Sequence, residues 1–352
     1  MSKSRVSLKA FFASPLLRYL VIRFLLIVPT VFILVTMVFF VMHAIGDPIT
    51  AALGGRLTPV ELQKRIHAAG YDRPTWVQYV EFLGQIARFD FGRTLTTNQA
   101  IGDVFATYGM ATLELSVYAI IVAIAVGIPL GMIAARNRDT VKDASARLFA
   151  ILAYATPVFF VGLLLKLIFG VAIPILPIAG RASVGTELIL QTVPGASGFF
   201  FIDALRTGDP GLILDVVSHA VLPSLALGLL TAGIFLRLVR TNMIGTLAMD
   251  YVDAARSRGV SEYRLTRKHA YKPALIPVIT VIGMQIAVLL SGAVLTETTF
   301  EWKGLGFELA SFLNARDFVA VQGIVALLAV IVAVTNFVVD VIAALIDPRI
   351  KF

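Results

Sequence analysis

The sequence contains no cysteine. Disulfide staples and thiol chemistry are therefore excluded, and cysteine usage says nothing about redox compartment. Histidine is scarce as well. His43, His67, His219 and His269 are scattered along the chain and share no metal-ligand spacing. No G-x-x-x-x-G-K-[ST] stretch occurs, so the loop that cradles nucleotide phosphates is missing. No G-x-S-x-G nucleophile elbow occurs either. These absences argue against a metal site, an ATPase and a hydrolase. Neither catalytic residues nor a bound cofactor are expected in this chain. Charge is sparse too: 15% of the 352 residues are Asp, Glu, Lys or Arg, against about 25% in a soluble domain.

Apolar sequence fills the space that charge leaves. Hydrophobic residues make up 58% of the chain. Six runs stand out, at 19–42, 107–135, 148–170, 216–239, 276–298 and 319–345. Each is long enough to cross ~30 Å of hydrocarbon at ~1.5 Å per helical residue. The expected fold is an all-α integral membrane protein with six transmembrane helices. The first run follows Lys3, Arg5, Lys9, Arg18 and Arg23. It is too long for a signal peptide and lacks a small-residue cleavage site, so it reads as an uncleaved span.

The loops sort by charge. Segments 1–23, 136–147, 237–272 and 346–352 hold 19 of the 30 Lys and Arg but only 6 of the 22 acids. Basic loops mark the cytoplasmic side. This places the N-terminal segment 1–18, a loop at 240–272 and the C-terminal segment 346–352 in the cytoplasm, around a 19–345 membrane domain. The formal net charge of +8 is thus a topology signal, and no nucleic-acid partner is expected.

Two long segments fall outside. In the first, 43–106, Thr58-Pro59-Val60-Glu61 has the pattern of a capping box with proline at the first helical position, and Gly70 would close that helix. Trp76, Val80 and Leu83 line one face of a second short helix suited to the membrane interface. The second segment, 171–215, is rich in proline and glycine and short of regular periodicity. Both read as an outer cap, for packing or for docking a partner. Within the second run, Gly127 and Gly131 stand four residues apart, a spacing that admits a close helix neighbour.

Ionisable residues within the runs mark protein-facing or water-facing positions, because they are costly in lipid. Glu114 can line a polar pathway or hold a helix contact. Lys166 can snorkel outward along its stem or face a cavity. Asp340 reads as a satisfied polar contact. These groups look isolated from one another, which disfavours an ion-coupled carrier.

Between the fourth and fifth runs lies DYVDAARSRGV, residues 250–260. Ile244, Leu247, Ala248, Tyr251, Val252 and Ala255 recur at helical spacing and give an apolar face. Asp250, Asp253, Arg256 and Ser257 fall on another. Ala254 and Ala255 keep the helix thin enough for a second surface to approach. Gly259 suits the left-handed turn after a helix, and Ser261 with Glu262 can open the next one. The product is a helical hairpin that either rests on lipid headgroups or inserts into a cytoplasmic partner.

Asp253-Ala254-Ala255-Arg256-Ser257-Arg258-Gly259 resembles the E-A-A-x-x-x-G motif of bacterial ABC importer permeases, with Asp in place of Glu. IRFLLIVPTVFILVTMVFFVMHAIGDP, DRPTWVQYVEFLGQIARFDFGRTL, SGFFFIDALRTGD, SEYRLTRKHAYKPALIPVIT and ALIDPRI resemble the dipeptide/oligopeptide/nickel permease family in order along nearly the whole chain. The resemblance implies a type I importer permease fold in a bacterial cell membrane. It implies a second similar permease, two ATP-binding subunits that carry the ATP and Mg2+, and an extracytoplasmic substrate-binding protein. Residues 250–260 would be the coupling helix, with Tyr251, Asp253, Ala254, Ala255, Arg256 and Gly259 as its contact and turn residues. Short peptides are the implied substrate, with nickel chelates or oligosaccharides as alternatives. A gradient-driven carrier and a membrane scaffold without transport are the competing readings.

Overall fold

A computed structural model describes residues 15–55 and 57–346. The basic residues Lys3, Arg5 and Lys9, and the terminal segment from 347, lie outside the described residues. Every regular element described is helical. The first apolar run forms α1, Pro15–Ile45. Gly46 then turns at φ +128°. The Asp47 carboxylate accepts from the Ile49 and Thr50 amides and opens α2, Pro48–Leu53. Helix α3, Pro59–Ala69, begins with the expected capping box: Thr58 and Glu61 exchange side-chain and backbone bonds, and Gly70 closes the helix at φ +75°. Helix α4 follows at Thr75–Ala87.

The second run forms α5, Ile101–Arg136. The third is broken. Helix α6, Val141–Ala155, and helix α7, Val158–Lys166 with a π turn through Ala172, meet at an angle of 102°. A single straight span over 148–170 is therefore not what forms. The cause is Pro157: it has no amide to donate, and it forces Thr156 into extended backbone at φ −85°, ψ 128°. Two short helices follow, α8 at Val184–Thr192 and α9 at Phe200–Thr207. This segment is more ordered than its composition suggests, because carboxylates reach back to loop amides. Asp203 accepts from the Ser197 and Gly198 amides at 2.8 and 3.0 Å, and Asp215 from the Ser183 amide at 2.8 Å.

The fourth run forms α10, Pro210–Leu247. Then come α11, Asp250–Ser257, the single turn α12, Glu262–Arg264, and a π turn at Leu265–Ala270. Helix α13 spans Tyr271–Gly292, α14 Val294–Thr299, α15 Leu305–Asn314 and α16 Phe318–Ile346. Among the described residues four helices, α1, α5, α10 and α16, are long and apolar enough to cross a membrane. The bent α6–α7 pair makes a fifth if counted as one span.

Two compact units divide the chain. Residues up to 105 and from 309 form the first. Here α1 packs along α16, with Phe24 edge-on to Phe337 at 5.6 Å and Arg23 beside Asp340 at 3.4 Å. Asp340 is thus paired, not isolated. Helix α4 turns Tyr79, Phe82 and Leu83 toward Val35 and Phe39 of α1, leaving Trp76 and Val80 exposed. Asp317 ties the loop before α5 to α16 by accepting from the Thr96 and Ala320 amides at 2.9 and 3.0 Å.

The second unit, residues 106–308, is organised on α10. Glycines set how closely α5 approaches it. A Cβ on Gly127 would stand 2.6 Å from the Ala232 carbonyl oxygen, one on Gly131 2.7 Å from Val239, and one on Gly228 2.7 Å from the Ala119 carbonyl oxygen. The two glycines singled out in the sequence and a third on the opposite helix thus lie along one seam, each against residues of the facing helix, so the two backbones approach closely. Farther along, Val239 and Met243 pack with Ala274 and Val278 of α13.

Candidate functional site

The hairpin that follows α10 is built by a few local choices. Helix α11 ends in a Schellman turn: the Gly259 amide donates to the Arg256 carbonyl at 2.9 Å and the Val260 amide to the Ala255 carbonyl at 3.3 Å. Gly259 takes φ +80° there, a conformation that costs an L residue with a Cβ. Ser261 occupies the next N-cap with extended backbone, but its side chain makes no capping bond. Glu262 instead reaches back across the turn. Arg256 Nε donates to Glu262 Oε1 at 2.6 Å, and the same guanidinium also binds Asp253. The hydrogen bond from Arg256 holds the Glu262 carboxyl below its ordinary range. These groups remain well exposed, so they orient the turn more than they stabilise it.

Packing fixes which face of α11 is left over. Val252 and Ala255 are buried against Leu265, with Leu247 and Val260 around them. Ala255 is 3% exposed, so its small size serves contact with its own chain. Ala254 lies on the outer side, as do Asp250, Tyr251, Asp253, Arg256, Ser257 and Gly259. The Tyr251 hydroxyl donates to the His269 carbonyl at 3.3 Å. The outer surface of the hairpin is therefore a shallow strip, with Tyr251 and Ala254 in its middle and charged side chains on its flanks. Such a strip offers a shape and flanking charges that a second surface can meet.

Glu114 and Lys166 are placed apart from this strip and from each other. Glu114 is fully buried. One carboxylate oxygen accepts from Arg181 Nη2 at 2.5 Å. The other accepts from the Tyr118 hydroxyl and the Phe201 amide, both at 2.9 Å. Arg181 also donates to the Gly198 carbonyl at 2.8 Å, and its guanidinium lies 3.6 Å from the Phe200 ring centre. Glu114 thus pins the segment bearing α9 onto α5. With the Arg23–Asp340 contact, this corrects the expectation that ionisable groups in the apolar runs stand alone. Sequence reasoning missed Arg181; the available signal was one guanidinium in an otherwise apolar IPILPIAGRAS stretch.

A neighbouring lock escaped notice as well. The Thr112 hydroxyl donates to Glu297 at 2.7 Å and accepts from the Leu305 amide at 2.8 Å, while the buried Trp302 indole donates to the Ala111 carbonyl at 2.8 Å.

Lys166 is half-buried, and its ammonium donates to the Thr299 carbonyl at 2.7 Å, at the C-terminus of α14. A cation there complements the exposed carbonyl end of a helix. A protein acceptor thus lies within reach of the ammonium. Lys166→Met keeps most of the stem's packing. It should lower thermal stability by at most about 1.5 kcal/mol and keep uptake within about tenfold of wild type. A larger loss of uptake in an intact assembly would put Lys166 in the transport pathway.

Comparison with known proteins covers both units. Residues 16–111 match the N-terminal membrane-component family of binding-protein-dependent transport systems. Residues 127–352 match the family described as binding-protein-dependent transport system inner membrane component. The di/tripeptide transport system permease DppB of Pseudomonas aeruginosa is 36% identical over 96% of this chain and 99% of its own length. The dipeptide permease DppB of Escherichia coli K12 is 35% identical over the same shares. The dipeptide permease DppB of Alkalihalophilus pseudofirmus is 32% identical over 96% of this chain and 100% of its own. With one matching family covering well over half of the chain and relatives aligned nearly end to end, this protein belongs to the inner-membrane components of binding-protein-dependent transport systems.

Proposed function

We propose that this chain is one of two permease subunits of an ATP-driven importer of dipeptides and short oligopeptides, coupled to its ATPases through the α11 hairpin. The full complex would add a companion permease, two ATP-binding subunits carrying ATP and Mg2+, and an extracytoplasmic substrate-binding protein. The fold would count six spans, with the bent α6–α7 pair as the third and α13 as the fifth. Both ends of the membrane domain and the hairpin would be cytoplasmic, following the basic loops. The peptide assignment is supported by what the near full-length relatives are named for. The selection among peptides, nickel chelates and oligosaccharides would fall largely to the binding protein.

The observation that carries the coupling assignment is the division of α11. Val252 and Ala255 anchor it to its own chain, while Tyr251 and Ala254 stay exposed. A helix held this way moves as a rigid body. When ATP draws two ATPase subunits together, α10 and α13 would follow it, and the pathway would rock between inward-facing and outward-facing states.

The test reconstitutes the complete transporter in vesicles and reads ATP hydrolysis and peptide uptake together. Ala254→Trp should cut coupled uptake at least about tenfold while the chain stays folded and the binding protein still docks. Gly259→Val should weaken coupling as well, because a β-branched residue at positive φ distorts the turn. Normal ATP-driven uptake in both variants would mean that the hairpin only rests on the membrane surface. Uptake that proceeds without ATP would point to a gradient-driven carrier instead. A complete absence of flux would leave the scaffold reading.

A further inference from the structure

A groove of about 370 Å³ runs between α6 and α10. Ala150, Ile151, Gly233 and Ile234 form its apolar part. Gly233 lets α6 and α10 come together at its floor, since a Cβ there would stand 3.0 Å from the Ala150 carbonyl oxygen. Arg147, Arg237 and Arg240 line the same groove, beside Tyr154.

The three arginines are not equally engaged. Arg240 is consumed by Asp143, to which its Nε and Nη2 donate at 2.6 and 2.7 Å. Arg147 approaches the same carboxylate at 3.7 Å. Arg237 is exposed and pairs with no carboxylate among the described residues. Its guanidinium lies 5.9 Å from the Tyr154 ring centre. One carboxylate among three guanidinium groups leaves an excess of positive charge over an apolar trough.

Position along the chain sets this charge beside the ends of two apolar runs. Arg147 immediately precedes the apolar run at 148–170, and Arg237 and Arg240 fall at the end of the run at 216–239. Carried onto the topology proposed above, these positions would lie where hydrocarbon gives way to headgroups. The apolar side chains beside them stay largely uncovered: Ile151 is 63% exposed and Tyr154 61%. An amphiphile with an anionic head and a hydrocarbon tail complements both parts at once. A basic pocket between membrane helices is the recurring arrangement for anionic lipid heads.

We propose that the α6–α10 groove is a binding site for an anionic phospholipid, with its phosphate held by Arg237 and Arg147 and an acyl chain laid along Ile151 and Ile234. A zwitterionic lipid brings its own cation to the same place and gains less from the surplus charge. Arg240 serves the site indirectly, by holding Asp143 away from the phosphate.

The test uses the assembled transporter in nanodiscs of mixed phosphatidylglycerol and phosphatidylcholine, with native mass spectrometry of the lipids that stay bound on detergent release. Wild type should retain phosphatidylglycerol in preference to phosphatidylcholine. Arg237→Gln should reduce that preference about fivefold, Arg147→Gln/Arg237→Gln should remove it, and Arg237→Lys should largely keep it. The absence of any preference in wild type, or its survival in the double variant, would overturn the site. A photoreactive benzophenone residue at Ile151 supplies an independent readout without removing an arginine. Its adduct should be lipid. Crosslinking to the companion permease would mean that the groove is a subunit interface and would overturn the proposal.

Discussion

Arg181→Met should destabilise the assembled protein by about 3–5 kcal/mol, the usual result of leaving a buried charge without its partner. Glu114 has no exposed surface, and the Arg181 guanidinium is its only charged donor among the described residues. The Tyr118 hydroxyl and Phe201 amide that remain are neutral and cannot balance a carboxylate in a low-dielectric site. The segment bearing α9 should loosen from α5, seen as a fall in Tm and as faster amide exchange across 197–207. Glu114→Gln combined with Arg181→Met should recover much of the loss, because it removes both charges. A single Arg181→Met variant that melts like wild type would show that the pair does not hold this segment.

Gly127→Leu is expected to prevent stable assembly. The first added carbon already falls 2.6 Å from the Ala232 carbonyl oxygen and 2.8 Å from the Phe235 Cβ. The first obstacle is backbone, which cannot rotate aside as a side chain can. Overpacking of this kind costs about 1–3 kcal/mol where side chains can adjust, and more where whole helices must separate. Gly131 and Gly228 lie in the same seam, so the displacement would spread along it. Gly245→Ala is the control. It sits in the same α10 helix with no atom within 4 Å of an added Cβ, and alanine should be neutral or favourable by up to about 1 kcal/mol. Size-exclusion profiles of the detergent-extracted complex would separate the two cases. A Gly127→Leu protein that elutes as sharply as Gly245→Ala would mean that the α5–α10 seam has slack that the geometry does not show.

Much of the helical framework was legible because its causes are local. A capping box needs only Thr58 and Glu61 three residues apart, and both of its bonds form. The turn at Gly259 needs only a residue without a Cβ after a short amphipathic helix. Long apolar runs make helices whatever surrounds them, since an unpaired backbone group is costly in lipid. The break at Thr156–Pro157 is local too. It went unread as a bend because proline within a membrane helix often produces none: Pro129 and Pro223 sit inside unbroken helices.

The sequence alone determined that this is an all-helical membrane protein, that Thr58 opens one helix and Gly259 follows the end of another, and that a short charged hairpin follows its fourth apolar run. Those outcomes depend on neighbours within about one or two helical turns. Only the tertiary structure decided the rest, because the choice lay with residues far along the chain. Glu114 finds Arg181 sixty-seven positions away, and Lys166 finds a carbonyl at the end of a helix 133 positions away. The two adjacent alanines of α11 are chemically identical. Leu265 arrives from beyond the turn to cover Ala255 and leave Ala254 exposed. Helical periodicity can propose both faces of such a helix, but only the packing of a later segment selects the one that is buried.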